Sequence, residues 1–198
     1  MVSRLSLIAG ALASLTLAGS AAAQLQSFTG NVDRKLAQCF LYTQDGGFNV
    51  HGLIAIHYGA PEWKGEYTGM VKEAKPGTRA RLGKDFWTTL DTSCTLMAGD
   101  TKIAPGTYYV GVEMAEEGKM HMVLLDATKI RASGMNPAQT GQTEGGIRIP
   151  MTLKTDAEEH HELDIAIETS EDDPKHLAMI VRWGPMAAKA KVTADIEA

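Results

Sequence analysis

Apolar and polar residues alternate with a period of two along most of the chain after residue 50. The alternation is clearest from Leu163 to Glu168, where Leu163, Ile165 and Ile167 fall on one face of a strand and acidic residues on the other. Antiparallel strands with one face in a core and one in water have this pattern. Eight segments are predicted to be strands: Val50–Tyr58, Phe86–Leu96, Thr107–Met114, Met120–Leu125, Ile147–Leu153, Leu163–Ser170, His176–Trp183 and Lys189–Ile196.

Turn residues separate these segments at intervals typical of a sandwich. Ala98–Asp100 and Pro105–Gly106 predict tight turns, and Ala115–Lys119 predicts the turn of a hairpin. A helical turn is predicted only within Asn31–Phe40, and Ala132–Gly146 is predicted to be a long polar surface loop. The pattern therefore predicts an all-β fold, a single antiparallel β-sandwich of about eight or nine strands.

The first 23 residues have the different pattern of a secretory signal peptide. Arg4 supplies a basic start, Leu5–Leu17 is an almost unbroken apolar run, and Ala18–Ala23 supplies the small residues that signal peptidase requires. The alternative, a retained membrane anchor, would need about 20 apolar residues, and neither this run nor any later segment is long enough. We therefore predict a cleavable signal peptide over residues 1–23, an N-terminal extension with a short helical turn over 24–49, and the sandwich over 50–198.

Removal of the signal peptide would leave an acidic protein outside the cytoplasm, in the periplasm or the extracellular space. Residues 24–198 carry 18 basic and 24 acidic side chains, a net charge of -6 with neutral histidines. Nucleic acids and anionic membranes bind basic faces, so this balance argues against both as partners. No integral membrane segment is predicted after cleavage.

Two cysteines remain after cleavage, Cys39 and Cys94. In an oxidising compartment such a pair predicts a disulfide, and neither residue has the spacing of a metal ligand. Closing this loop of 55 residues would stabilise the fold by about 4 kcal/mol. The alternative is two buried, unpaired thiols that act as small hydrophobic residues.

Several short motifs resemble, in order and spacing, a family of secreted bacterial proteins. They are Tyr58–Glu66, Arg81–Gly83 leading to Thr88–Leu90, Pro105–Tyr108 and the late Trp183. The family is catalogued only as domain of unknown function 2911, and the resemblance covers approximately Val50–Ile196. It implies a secreted β-sandwich and brings no reaction, substrate or cofactor.

The chain departs from that family pattern at three positions. The pattern has arginine where this chain has Ala60 and Glu66, and tryptophan where it has Ala80. If those arginines bind an anion in relatives, this protein has lost or altered that capacity.

A candidate ligand-binding site lies in and after the first of these motifs, at Tyr58, Trp63, Lys64 and Arg81. Trp63 could stack on a ligand, and Lys64 and Arg81 could meet an anionic group. The alternative is a turn whose glycine and proline set the backbone angles without any ligand.

Metal chemistry is suggested by ten methionines and six histidines, which are ligands of periplasmic copper sites. In a strand, however, Met120 and Met122 would point to one face and His121 to the other, and the adjacent His160 and His161 would also point apart. Core filling explains the methionines. No metal site and no cofactor are predicted.

Enzyme signatures are absent from the sequence: it contains no GxSxG elbow, phosphate loop, dinucleotide fingerprint or HExxH zinc motif. The leading hypothesis is a non-catalytic envelope module that binds an unknown small molecule or protein. The second is a hydrolase-like enzyme whose site is assembled from distant strands, and the third is a periplasmic Met/His copper-handling protein.

Overall fold

A computed structural model of the chain describes residues 32–44, 46–116, 119–155, 157–170 and 172–196. The predicted signal peptide, its cleavage site and the first residues of the predicted extension lie outside these ranges. Within them, no helix has the length and apolar character needed to span a membrane.

The described residues form twelve strands, two α-helices and one 3-10 helix. The strands are β1 (Lys35–Thr43), β2 (Asn49–Tyr58), β3 (Arg79–Arg81), β4 (Thr88–Thr92), β5 (Thr95–Ala98), β6 (Thr101–Ile103), β7 (Gly106–Met114), β8 (Lys119–Asp126), β9 (Ile147–Lys154), β10 (His160–Thr169), β11 (His176–Gly184) and β12 (Met186–Asp195). The helices are α1 (Tyr67–Glu73), α2 (Ala127–Ser133) and the 3-10 helix Pro137–Gln142. Neighbouring strands pair antiparallel throughout, so the predicted all-β, antiparallel class is confirmed.

Nine of these strands follow one another in a single sheet, in the order β1-β2-β4-β7-β8-β9-β12-β11-β10. The short strands β3, β5 and β6 lie off this path. The two end strands, β1 and β10, contact each other, so the sheet curls into a nearly closed barrel. Alternation along a strand shows only that one face of the strand is buried. In a sandwich a second sheet covers that face, and in a barrel the opposite wall of the same sheet covers it equally well.

The segment that follows β2 joins the two ends of the curled sheet. The Tyr58 hydroxyl accepts a hydrogen bond from the Ile165 amide at 3.0 Å and donates one to the Ile165 carbonyl at 3.4 Å. Three residues further on, Pro61–Trp63 runs beside β10: the Leu163 amide donates to the Pro61 carbonyl at 3.0 Å and the Trp63 amide to the His161 carbonyl at 2.6 Å. An ion pair between β1 and β10 adds to this closure.

The interior of the barrel is filled by the inward residues of almost every long strand. Among the fully buried side chains are Ile54, Leu90, Val110, Met122, Ile149 and Met179. A smaller apolar cluster of Trp87, Val123 and Leu125 packs with Ile130 of α2. The stacked ring of Tyr109, 4.8 Å from Trp87 between centroids, extends that cluster.

Most predicted strands are present with shifted ends, and three local predictions are wrong. The segment Phe86–Leu96 contains two strands, β4 and β5, because the chain turns at Ser93. The described part of Asn31–Phe40, from residue 32 on, contains the start of β1 and no helical turn, since β1 pairs with β2 along its whole length. Ala132–Gly146, which was predicted to be a long polar surface loop, holds the end of α2 and a 3-10 helix.

The ends of α2 and of the 3-10 helix carry residues that are typical of helix caps, although the sequence analysis did not use them. The Asp126 carboxylate accepts hydrogen bonds from the amides of Thr128 and Lys129, and Gly134 ends α2 with a φ of 68°. A capping box between Asn136 and Gln139 starts the 3-10 helix. Asp or Asn before a short helix and Gly after it are standard boundary signals.

Cys39 and Cys94 are free thiols in the structure, so the predicted disulfide is not formed. Cys39 lies on β1 and Cys94 just after β4, with β2 between these two strands. Cys94 packs over β2, where a Cβ added at Gly52 would lie 2.9 Å from its sulfur. Burial raises the pKa of the Cys39 thiol, with a smaller contribution from Cys94.

Candidate functional site

A cavity of about 490 Å³ lies between the inner wall of the sheet and the segment 61–84, which includes α1. Strands β7 to β12 form the wall, and the segment forms the cover. The deepest lining residues are Leu82, Leu163, Val181 and Ala188, all of which are buried. The floor of the cavity is therefore apolar.

The mouth of the cavity lies beside α1. Four lining residues are exposed: Met70 on α1, Thr78 before β3, and Ala80 and Arg81 on β3. Met70 is 67% exposed, the highest value among the large apolar side chains of the described residues. The cover thus leaves an apolar side chain at the boundary between cavity and solvent.

Three aromatic rings form one side of this region. The Trp183 ring, which lines the cavity, packs edge-on against Trp63 at 5.0 Å between centroids. It also packs against Tyr67 at 4.9 Å, with the two ring planes tilted by 32°. The Trp183 indole nitrogen donates to the Pro61 carbonyl at 3.0 Å, which orients the ring. Gly184 has a φ of 55°, and a Cβ there would overlap the Trp63 ring, so only glycine allows this contact.

Four methionines also line the cavity: Met70, Met114, Met120 and Met186. Met114 and Met120 are direct cross-strand partners of β7 and β8. The predicted alternation in β8 is confirmed, because Met120 faces the cavity and Met122 is fully buried while His121 lies 3.8 Å from Glu113 on the other face. No histidine of the described residues lines the cavity.

The four predicted ligand-binding residues occupy different positions around this cavity. Arg81 lines its mouth, and Trp63 lies behind Tyr67 and Trp183 as a packing partner. The Tyr58 ring is buried and its hydroxyl is used in barrel closure; burial raises the pKa of this hydroxyl. Lys64 is exposed, and its ammonium has no hydrogen bond or ion pair with any described residue. The structure thus brings Arg81 and the support residue Trp63 to one cavity.

A buried carboxylate lies on the outer face of the same sheet. Glu113 pairs with Arg79 of β3 and with Arg148 of β9, whose Nε lies 2.8 Å from the carboxylate. The hydrogen bonds from Arg148 and Arg79 lower the pKa of Glu113 to about 2. Arg79 also donates to the carbonyls of Thr143 and Gly145, each at 2.9 Å, so this cluster fastens the segment after the 3-10 helix to the sheet.

Two further surfaces stand out on the outer face. A shallow groove of about 540 Å³ includes Lys154, Lys189 and Lys191, whose ammonium groups pair with no carboxylate of the described residues. On β1 and the start of β2, large apolar side chains are 45–62% exposed: Leu36, Phe40, Tyr42, Phe48 and Val50. Neither surface lies under a covering segment such as 61–84.

The sequence analysis did not predict the cavity. Its lining comes from six strands and a cover segment, and only Arg81 of the predicted residues belongs to it. In the described part of the chain, no three His, Cys, Asp or Glu side chains come together in a way that could hold a metal ion. No protein-family model, curated protein or solved structure matches this chain, so its function has to be inferred from the geometry of the site.

Proposed function

We propose that this chain is a non-catalytic binding protein that holds a small, largely apolar molecule in the cavity under α1. The observation that carries this proposal is the cavity itself, whose volume of about 490 Å³ lies within the range of roughly 300–1,000 Å³ typical of small-molecule sites. Its lining joins an apolar floor to an aromatic ring and a few polar groups at the mouth, which is the usual composition of such sites.

The lining can accommodate apolar ligands of different shapes. Methionine side chains are unbranched and polarizable, so they adapt to different apolar surfaces. Met70, Met114, Met120 and Met186 contribute four such side chains to one cavity. A broad specificity for apolar groups follows from this composition.

The cover is weakly held, which supports a route of entry. The helix α1 has seven residues, none of them buried, and no side chain caps its N-terminus. Helices as short as this depend on tertiary packing for stability. Opening of α1 would therefore expose the cavity at low cost.

Binding is favoured over the hydrolase-like alternative by the positions of the titratable groups. Active sites commonly gather groups with shifted pKa values in a cleft. Here the described groups whose pKa is shifted all lie outside the cavity lining: Lys35, Cys39, Tyr58, Tyr108, Glu113 and Arg148. The described lining of the cavity thus supplies mainly apolar contacts, which favours binding.

Copper handling is a second candidate function, favoured by one observation. Thioethers suit Cu(I), and Met114 and Met120 are direct cross-strand partners on the cavity wall, so their Cβ atoms lie about 5 Å apart. Such a site would consist of thioethers only, because none of the described histidines lines the cavity.

The proposal includes a location in the periplasm or outside the cell. Its support is the signal-peptide pattern of residues 1–23 and the resemblance of Val50–Ile196 to a secreted family. A small molecule of the envelope is therefore the partner that we propose.

A variant whose cavity mouth is blocked by a larger side chain tests the proposal, with binding of a fluorescent dye as the measurement. The probe is N-phenyl-1-naphthylamine, a neutral apolar dye that becomes fluorescent when it leaves water, and the protein is purified from cells that express the full-length chain. Ala80→Trp places an indole at the exposed mouth, where the fold need not repack, and should weaken dye binding at least about tenfold. Ala132→Trp, at an exposed position of α2, is the matched control and should leave dye affinity unchanged.

Equal dye binding by the wild type and Ala80→Trp would show that the cavity is not the site. Native mass spectrometry of the same protein adds a readout that needs no assumed ligand. A co-purifying organic mass supports the binding proposal, whereas copper bound to the wild type and lost on Met120→Leu supports the second candidate.

A further inference from the structure

Methionine is concentrated in the lining of the cavity under α1. Four of the twenty described residues that line it are methionines, whereas only ten of all 198 residues of the chain are. These four come from separate elements of the fold, namely α1, β7, β8 and β12, and are Met70, Met114, Met120 and Met186. The fold therefore gathers thioether sulfurs around this one space.

The role of these four side chains differs from core filling. Methionines that fill the core are fully buried, as Met122 and Met179 are. The cavity methionines of β7, β8 and β12 are only half-buried, and Met70 is exposed. Because each of them borders the cavity, part of its surface has no protein atoms packed against it. That surface is available to a ligand.

Two aromatic rings line the same cavity. The Trp183 ring is oriented by the hydrogen bond of its indole nitrogen and packs against Tyr67, whose side chain also lines the cavity. Trp183 and Met186 are direct cross-strand partners. So are Met114 and Met120. Since cross-strand partners lie side by side on one face of a sheet, the cavity wall presents an aromatic ring next to a thioether.

We infer that the ligand of this cavity carries a flat aromatic ring system, and that the cavity selects it over a saturated molecule of the same skeleton. A methionine sulfur makes a favourable contact with an aromatic ring, commonly at the ring edge. Other aromatic rings add offset-stacked or edge-to-face contacts. A saturated ligand gains neither kind of contact. This inference rests on the proposed binding function and specifies its ligand class.

A matched pair of ligands, 2-naphthaleneethanol and its decahydro analogue, tests the inference. The two share a carbon skeleton and a hydroxyl group and differ in aromaticity. The decahydro analogue has more apolar surface, so hydrophobic burial alone would favour it. Isothermal titration of the protein purified from cells that express the full-length chain should instead show at least about fivefold tighter binding of the naphthalene ligand. Equal binding, or a preference for the decahydro analogue, would overturn the inference and leave the proposed function standing.

The variant Met114→Leu/Met120→Leu tests the part played by the sulfurs, because leucine nearly keeps the volume of methionine. Its preference for the naphthalene ligand should be at least about threefold smaller than that of the wild type. The matched control, Met97→Leu/Met135→Leu, changes two half-buried methionines that do not line the cavity and should keep the full preference. An unchanged preference in the first variant, or an equal fall in both, would overturn the assigned role of the sulfurs.

Carbon-13 labelling of the methionine methyl groups adds a direct readout of contact. A bound aromatic ring shifts the NMR signals of nearby groups, so the naphthalene ligand should shift the signals that are missing from Met114→Leu/Met120→Leu. The signals that are missing from the control variant should stay in place. If the cavity signals do not shift when the ligand binds, the inference is overturned. If neither ligand binds to the wild type, the inference fails, and the dye experiment with Ala80→Trp decides separately whether the proposed function also fails.

Discussion

Glu113 is the residue at which the polar contacts of the outer face converge. It is 7% exposed and accepts hydrogen bonds from Arg79 of the adjacent strand β3 and from Arg148 of β9, which lies beyond β8. The ionised form of a carboxylate that is buried in this way is stable only because both guanidinium groups replace the hydration that it loses on folding. Its pKa of about 2, against an ordinary value of 4.5, means that folding favours the ionised form.

Replacing Glu113 with glutamine should destabilise the protein by roughly 3 kcal/mol near neutral pH, because it leaves Arg79 buried without a counter-charge. The wild type has the full contribution of Glu113 above pH 4.5 and loses it as the pH falls toward about 2. The difference in unfolding free energy between wild type and variant should therefore shrink over this interval. Urea unfolding at several pH values measures it.

Glu116→Gln is the control for this prediction, since Glu116 is exposed and pairs only with the nearby Lys119. Its effect should stay below about 1 kcal/mol at every pH, as expected of a surface ion pair. A difference for Glu113→Gln that does not change with pH would contradict the assigned role of the carboxylate.

Among the elements, α1 is the one with the least support. It has no side-chain cap and no buried residue, and Gly69 lies in its middle. The helix α2 has the same length but begins with the Asp126 cap and ends at Gly134 in a left-handed conformation. The cover of the cavity therefore includes the less well capped of the two α-helices, and we expect α1 to open more easily than α2.

Gly69→Ala should stabilise α1 by about 0.5–1 kcal/mol, because alanine restricts the unfolded chain and a Cβ at this position meets nothing within 4 Å. Hydrogen exchange of the α1 amides should slow, and so should the entry of the naphthylamine dye. Gly134→Ala is the control: its φ of 68° disfavours alanine, so this change should lower stability instead. Unchanged exchange in α1 would mean that Gly69 does not limit the helix.

At the scale of the whole molecule, the barrel is held closed by side chains and by one short segment. The ends of a sheet expose unpaired backbone groups, and a curled sheet must cover or pair them. Tyr58, Pro61–Trp63 and the Lys35–Glu162 pair do so here between β1, β2 and β10. The segment from Tyr58 to Trp63 therefore serves closure of the barrel as much as it serves the cavity.

Tyr58→Phe should cost about 1–3 kcal/mol of unfolding free energy, because it leaves the buried Ile165 amide without a partner. The Ile165 amide should also lose protection from hydrogen exchange. Tyr108→Phe removes a hydroxyl that donates only to the nearby Ala104 carbonyl, at 2.8 Å, and should cost less. Equal effects of the two variants would contradict a special role of Tyr58 in closure.

The sequence by itself determined most of the long strands, because alternation depends only on which side chains of one segment face water, whereas β1 and the short strands β3 and β6 were not predicted. Thr107–Met114 and Met120–Leu125 were predicted within a residue or two of β7 and β8, and the facing of Met120, His121 and Met122 was predicted correctly. It also predicted the antiparallel class, since short turns join consecutive strands.

Only the tertiary structure decided how the strands were assembled and what they enclose. Barrel and sandwich bury the same residues, so the alternation does not distinguish them. Cys39 and Cys94 were predicted to form a disulfide, but the structure has both as free thiols, with Cys39 on β1 and Cys94 after β4 on the far side of β2. Arg81 and Trp183 are 102 residues apart in the chain yet line one cavity, and closure depends on a contact between Tyr58 and Ile165. Contacts of this kind follow from the long-range order of the strands, which local hydrophobic patterns do not encode.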